Sequence, residues 1–227
     1  MQSALAPRKD VVPICARSVS RPSSSTSTAR WSTATRAIAA SVNHLRQRHG
    51  QAPLPVDLVR RCVGRGPEFL LRSTVPGVDW PADWAAYQRH HPTVMRPLTR
   101  LLPGAARVLA ALCSRGLTLG ICSNKPRIFT QELLDHLKLA DLFAVVVGPE
   151  DVPRPKPAPD MLRAALGRLD LTAAEALYVG DMRVDIETAR AAGVAVWVVP
   201  TGSDDRASLE AAKPDRLLES LSQLLEE

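Results

Sequence analysis

The stretch from Ala176 to Gly193 restricts the fold of this chain more than any other. It begins with the apolar run Leu177–Val179, breaks at Gly180, and continues as an Ala-rich segment with helical spacing up to Gly193. This order predicts a buried strand, a tight turn and a helix that ends at a glycine. A strand that leads directly into a helix is the repeating unit of a parallel sheet, so the stretch favours an α/β fold.

Two carboxylates lie at the predicted turn. Asp181 follows the strand at its carboxyl end, where open parallel sheets bind ligands, and Asp185 comes four residues later on the same side of the first helical turn. Carboxylate oxygens are hard ligands that suit Mg²⁺, so Asp181 and Asp185 are the predicted metal ligands. The alternative is that Asp181 only caps the helix, because Asp is a common N-cap residue.

The sequence pattern divides the chain into three segments. Residues 1–35 lack periodicity, residues 36–98 have helical spacing without a strand signal, and residues 99–227 alternate between strand and helix patterns. The alternation predicts a Rossmann-like parallel sheet covered by helices on both faces, with a small all-helical unit inserted near the N-terminus. The predicted strands are Leu117–Cys122, Leu142–Val147, Leu177–Val179 and Val194–Val199, and the last predicted helix is Leu217–Leu225.

Charge and composition exclude several classes of protein. The net charge is +6, but residues 1–36 hold six basic residues against one acidic residue, which leaves 23 basic and 22 acidic residues in the rest. The body of the chain is therefore nearly neutral, and it has no basic stripe of the kind that binds nucleic acid. No apolar run approaches the length of a membrane span. The four cysteines show no metal-binding spacing and fit a reducing compartment, so we expect a cytoplasmic protein.

Two further loops follow predicted strands and carry groups that bind anions. The motif Ser123-Asn124-Lys125 offers a hydroxyl and backbone N–H groups at the start of a helix. In the loop Arg154–Asp160, three prolines restrict the backbone around Lys156, whose ammonium group suits a phosphate or a carboxylate. The alternatives are that Ser123 is only a helix cap and that Lys156 is a solvated loop residue.

In their order and spacing, Ser123, Lys156, Asp181 and Asp185 resemble motifs two, three and four of the haloacid dehalogenase superfamily of phosphatases. The helical segment 36–98, with its Val63-Gly64-Arg65-Gly66 turn, resembles the cap that the phosphoglycolate phosphatase-like branch inserts after its first strand. The resemblance implies a division into an aberrant segment 1–35, a helical cap 36–98 and an α/β phosphatase core 99–227.

The resemblance also implies a Mg²⁺-dependent phosphatase of small phosphorylated metabolites such as 2-phosphoglycolate. In the family, one aspartate forms an aspartyl-phosphate and a second aspartate protonates the leaving alkoxide. Asp181 would hold Mg²⁺ with support from Asp185. The residues that would bind the substrate are Ser123, Asn124 and Lys156 at the phosphoryl group, of which Ser123 and Lys156 are the predicted catalytic residues, and Gly64 and Gly66 in the cap.

The first motif of the family, which carries both of those aspartates, is missing from residues 1–37. Asp10 is the only acid there, and Pro13 interrupts the neighbouring apolar run, which makes Val11–Cys15 poorly suited to a central strand.

The Ser/Thr tract Ser23–Thr35 contains that motif in another reading frame. Back-translation with the third base of each codon chosen to fit, read from one G placed before Ser23, gives Val-Val-Phe-Asp-Leu-Asp-Gly-Thr-Leu-Val-Asp-Ser-Asp. The codons of the nucleophile and of the acid/base would lie near Thr26 and Thr28. We therefore interpret residues up to about 35 as a frameshifted translation, which an intact reading frame on resequencing would refute. An organellar transit peptide and a flexible leader are the alternatives for this Arg-rich and Ser-rich tract.

Without a nucleophile, the printed chain should be inactive, and without an apolar central strand its fold should be destabilised. Two other functions stay open for the same residues. One is a phosphosugar mutase of the same superfamily, which would retain the phosphoryl group, and the other is a non-catalytic phosphate-binding module. The sequence does not predict the oligomeric state.

Overall fold

The computed structural model describes residues 11–13 and 33–226 of the chain. The codons that the frameshift hypothesis places near Thr26 and Thr28 lie outside the described residues. None of the helices in the described part combines the length and the apolar character that a membrane crossing requires.

Residues 33–98 fold into four helices that pack around a shared apolar core. The residues Ala37, Val42 and Leu45 recur at helical spacing and are fully buried. They pack the first helix mainly against the fourth. The helices are α1 (Thr33–Arg48), α2 (Val56–Arg61), α3 (Pro67–Thr74) and α4 (Trp80–Leu98). Helix α1 begins before the segment boundary that the sequence predicts at residue 36.

From Ala105 onward, helices and parallel strands alternate, and the predicted α/β fold class is confirmed. The strands are β1 (Val11–Pro13), β2 (Thr118–Cys122), β3 (Phe143–Val147), β4 (Leu177–Gly180), β5 (Ala195–Val198) and β6 (Arg216–Leu217). The helices are α5 (Ala105–Ser114), α6 (Arg127–His136), α7 (Asp160–Leu169), α8 (Arg183–Ala192) and α9 (Arg206–Ala211).

The strands form two parallel three-stranded ladders, in the orders β1-β2-β3 and β4-β5-β6. Strand β1 is paired with β2 and also lies beside β4, so it joins the two ladders at the centre of the fold. Neighbouring residues of β4 face opposite sides, because side chains alternate along a strand. Tyr178 packs with Met161 and Ile186 on the side of α7 and α8, whereas Val179 packs with the core around α5.

Two sequence predictions about the ends of the chain are wrong. Val11–Pro13 forms a strand in parallel register with Thr118–Gly120, although its proline argued against one. Pro13 is the last residue of that strand, so its missing N–H costs the ladder at most one bond.

At the other end, Leu217–Leu225 is not one helix, because Arg216–Leu217 pairs with β5 and a short 3₁₀ helix follows at Leu221–Leu225. The guanidinium of Arg216 lies 5.0 Å from the centre of the Trp197 ring, which ties this segment to the sheet.

Substituting Leu45→Ala should lower the free energy of unfolding by about 2–5 kcal/mol, because it leaves a cavity in the fully buried helical core. Leu58→Ala in α2 is the matched control, since Leu58 is 45% exposed and its truncation should change stability by no more than about 0.5 kcal/mol. Urea unfolding followed by circular dichroism measures both values. Equal losses in the two variants would contradict this packing of the helical core.

Candidate functional site

The turn between β4 and α8 is built around the carboxylate of Asp185. Its Oδ2 accepts hydrogen bonds from the backbone N–H groups of Asp181 and Met182, both at 3.0 Å. A Cβ atom at Gly180 would lie 2.3 Å from the Cβ of Asp185, so this tight turn requires glycine. The N-cap position of α8 is Met182 rather than Asp181. The interpretation of Asp181 as a simple N-cap is therefore wrong, and its buried carboxylate lies at the carboxyl end of β4.

The same carboxylate forms a buried ion pair with Lys156. The distance from Lys156 Nζ to Asp185 Oδ1 is 2.7 Å, and both side chains are at least 95% buried. Lys156 Nζ also donates to the Tyr178 hydroxyl at 3.1 Å, and that hydroxyl lies 3.1 Å from the carbonyl oxygen of Cys122, to which it can donate. A charged pair in a low-dielectric interior is stable only when such additional hydrogen bonds satisfy its remaining donors and acceptors. Lys156 is thus held at one position.

Asn124 connects the Lys156 loop to the helical part of the chain. Its side-chain amide donates to the carbonyl oxygens of Lys156 and Gly64, both at 2.9 Å, and its Oδ1 accepts from the N–H of Lys156 at 3.0 Å. These bonds connect the Gly64 loop and the Lys156 loop, which are far apart in the sequence, through the side chain of Asn124. Its predicted contact with the phosphoryl group stays a prediction.

Ser123 lies next to Asn124 at the end of β2. Its own N–H donates to the carbonyl oxygen of Val147, which continues the ladder with β3, and its Oγ accepts from the N–H of Lys125 at 3.1 Å. Because Oγ accepts in that bond, the hydroxyl proton can be donated to an anion.

The predicted residues converge on one pocket of about 130 Å³, which is lined by residues of α1, α3, α4, α5 and α6 and by the carboxyl ends of β2 and β4. Its polar rim includes Ser123, Asn124, Lys125, Asp181, Gly64 and Gly66. Lys156 and Asp185 are buried beneath that rim and reach it through Asn124 and through the turn at Asp181. The pairing of Lys156 with Asp185 means that its charge acts from below the pocket.

The glycine loop of the helical part closes over the core at this rim. Gly64 and Gly66 have φ angles of 120° and 91°, which favour glycine. A Cβ at Gly64 would lie 2.5 Å from the Cε of Met182, and Arg60 donates to the carbonyl oxygen of Gly202. The loop therefore contacts the residue that follows Asp181.

The described residues do not complete a metal site. Among residues 11–13 and 33–226 there is no group of three or more His, Cys, Asp or Glu side chains that could hold a metal ion. Asp181 is the one carboxylate on the described part of the pocket lining, and both oxygens of Asp185 already accept hydrogen bonds. Mg²⁺ requires six nearly octahedral ligands, so the carboxylate of Asp181 alone would supply only a small part of its coordination. Metal binding by Asp181 and Asp185 stays a prediction.

A sequence model of haloacid dehalogenase-like hydrolases matches residues 33–199, which include most of the pocket lining. The chain belongs to the haloacid dehalogenase-like hydrolase family. The resemblance seen in the sequence is thereby confirmed, and the family is one of hydrolases that includes phosphatases.

Relatives of this hydrolase include the phosphoglycolate phosphatase of Neisseria gonorrhoeae, which is 33% identical over 200 residues, or 83% of this chain and 85% of that protein. The phosphoglycolate phosphatase of Escherichia coli is 36% identical over 139 residues, which cover 61% of this chain and only 55% of that protein. A haloacid dehalogenase-like hydrolase from Bacteroides fragilis superimposes with a TM-score of 0.82 at 26% identity, over 96% of this chain and all of that chain.

Two contacts near the pocket are not evident from the sequence. Tyr178 reads as one more apolar residue of its strand, yet its hydroxyl contacts both members of the ion pair. His91 lies in the interior of α4, and its Nε2 is 3.3 Å from the Nζ of Lys125 at the pocket. A polar tip on a strand that is otherwise apolar is the signal for Tyr178, because a buried hydroxyl needs a partner. For His91, the sequence carries no signal beyond its pairing with His90.

Substituting Asp185→Asn should lower the free energy of unfolding by about 3–5 kcal/mol, because it leaves the charge of Lys156 buried without its counter-ion. Glu68→Gln is the control, since Glu68 pairs with Arg72 on an exposed helix surface and its loss should cost about 0.3–0.5 kcal/mol. Chemical denaturation measures both. Equal stability of the two variants would show that the buried pair does not hold the loops together.

The buried imidazole of His91 should make the fold sensitive to acid. Burial, followed by the charges of Lys125 and His90, lowers the pKa of His91 to about 2. An unfolded chain would bind the proton near pH 6.5, so this contribution to stability is complete above pH 6.5 and is lost as the pH falls towards 2, by about 1.4 kcal/mol per pH unit.

His91→Gln should therefore remove about 2 kcal/mol of the stability difference between pH 7 and pH 5, measured by urea unfolding at each pH. His90 remains in the variant, so its titration cancels from the comparison. A pH dependence that is the same in both proteins would refute the assignment.

Proposed function

We propose that this chain carries the anion-binding half of a phosphatase of small phosphorylated metabolites, with 2-phosphoglycolate as the first candidate. The observation that carries the proposal is the convergence of Ser123 and Asp181 on one pocket, with the ion pair of Lys156 and Asp185 directly beneath it. A cation held below a polar rim can offset the negative charge of a bound phosphoryl group. The phosphoglycolate phosphatases among its relatives support the choice of substrate.

In this proposal each residue has one task. The hydroxyl of Ser123, which lies on the pocket lining, donates to a phosphoryl oxygen. Asn124 holds Lys156 in place beneath them, and Asp181 offers a carboxylate towards Mg²⁺, the cation that the family suggests. The helical segment 36–98 acts as a cap over the core 99–227, and its Gly64–Gly66 loop excludes water and contacts the organic part of the substrate.

The printed chain would bind phosphate without turning it over. In the family, the covalent step needs an aspartate that the printed residues 1–37 do not supply at its place in the motif. Loss of a nucleophile in other enzymes costs about 10⁶ in rate, which leaves only binding. A non-catalytic phosphate-binding module is therefore the second candidate, and it is favoured by the single carboxylate on the described pocket lining.

An assay of the purified chain tests this proposal. With 2-phosphoglycolate or p-nitrophenyl phosphate and MgCl₂, the printed chain should show no hydrolysis above buffer, while inorganic phosphate should bind in isothermal titration calorimetry. Lys156→Met should weaken that binding by about tenfold or more, because it removes the buried cation. A chain with the shifted codons restored should hydrolyse 2-phosphoglycolate.

Three results of this assay would contradict the proposal in different ways. Mg²⁺-dependent hydrolysis by the printed chain would refute its inactivity. Phosphate binding by both chains without turnover by either would establish the non-catalytic module. Conversion of a hexose 1-phosphate to its isomer by the restored chain, with the phosphoryl group retained, would establish a mutase.

A further inference from the structure

Lys125 places a second cation at the pocket, on the side of the helical cap. It follows Ser123 by two residues, and both line the same pocket. From the turn that its N–H makes with Ser123, its side chain extends to α4, where Nζ lies 3.3 Å from His91 Nε2 and 3.9 Å from Met95 Sδ. Nζ is also 5.9 Å from the centre of the Phe129 ring. The ammonium group is thus held by contacts with the cap.

The imidazole of His91 is arranged to accept a hydrogen bond from this lysine. A lysine ammonium can only donate, so Nε2 of His91 is the acceptor and Nδ1 carries the proton. Nδ1 then donates to the hydroxyl of Ser41, 3.0 Å away in the buried interface of α1 and α4. Because burial and neighbouring charges lower the pKa of His91, the ring stays neutral and keeps its acceptor at neutral pH.

The surroundings of Lys125 are suited to the recognition of an anion. Towards the cap, the pocket wall is apolar, with Ile38, Leu70 and Phe129 among its residues. Lys125 is the cationic side chain of the described pocket lining, and Asp181 is the anionic one. An ammonium group at an apolar wall attracts a negatively charged group more strongly than the same group does in water.

We propose that Lys125 binds the carboxylate of a phosphate monoester whose phosphoryl group lies at Ser123, and that His91 positions Lys125 for this task. The proposal rests on the proposed function, since it names the residue that selects the substrate of that site. The proposal gives the two lysines different roles. Lys156, beneath the rim, offsets the charge of the phosphoryl group, and Lys125, on the side of the cap, binds the carboxylate of the substrate.

The test measures the affinity of the full 227-residue chain for inorganic phosphate, ethyl phosphate and 2-phosphoglycolate by titration. Ethyl phosphate is close in size to 2-phosphoglycolate but lacks its carboxylate. The unsubstituted chain should bind 2-phosphoglycolate about tenfold or more tighter than ethyl phosphate, which is the effect expected of one charge-assisted hydrogen bond. Lys125→Met should abolish this preference, because it should lower the affinity for 2-phosphoglycolate much more than the affinity for ethyl phosphate.

Three variants control the experiment. Lys125→Arg keeps the charge and should keep most of the preference, and Lys138→Met, on the exposed surface, should bind like the unsubstituted chain. His91→Leu should reduce the preference for 2-phosphoglycolate over ethyl phosphate. His91→Gln should retain it, because the Gln carbonyl can accept the hydrogen bond of Lys125. A merely structural role of His91 would affect both ligands alike, so the ratio of the two affinities separates the two roles.

The outcomes distinguish this proposal from the one on which it rests. If the unsubstituted chain binds none of the three phosphates, the proposed function fails and the role of Lys125 fails with it. If it binds inorganic phosphate and ethyl phosphate but does not prefer 2-phosphoglycolate, only the role of Lys125 is overturned. An equal loss of affinity for both esters in Lys125→Met would also overturn that role.

Discussion

The buried ion pair between Lys156 and Asp185 is the interaction on which the architecture of the site depends. It joins the loop after β3 to the first turn of α8, and Tyr178 ties both partners to the end of β2. Two desolvated charges are costly, and the pair persists because backbone N–H groups and a hydroxyl supply its remaining hydrogen bonds. Apolar side chains could have packed these strands without the cost of desolvating two charges, but they would have left no charge beneath the pocket.

A second set of contacts extends this arrangement to the helical segment 36–98. Asn124 shares its amide between Lys156 and Gly64, and Gly64 in turn leaves room for Met182 at the β4 turn. Any movement of the cap loop away from the core must therefore break a bond of the residue that holds Lys156. The helical segment 36–98 and the position of Lys156 are thus linked through two hydrogen bonds of Asn124.

Much of the fold and part of the site could be predicted from local sequence signals. Apolar runs predict strands such as Leu177–Val179, and turn chemistry places Asp181 and Lys156 at the same sheet edge. The remaining contacts depend on tertiary packing. The pairing of His91 with Lys125 joins residues 34 positions apart. Arg216–Leu217 has helical periodicity in the sequence but forms a strand. It pairs with the edge of β5, and Arg216 packs over the ring of Trp197.

The residues that we propose to bind the anion and the segment in which the family's first motif is expected belong to different parts of the chain. Ser123, Asn124, Lys156 and Asp185 all follow β2 in the sequence, and they contact one another through side-chain and backbone hydrogen bonds. Apart from the bond of Asn124 to Gly64, these contacts are made by groups that follow β2. Under the proposed function, a change confined to residues 1–35 would remove the attacking carboxylate, whereas the bonds of Lys156 to Asp185 and Asn124 are made by residues outside that segment. Such a chain would retain recognition of its ligand after it has lost the ability to convert it.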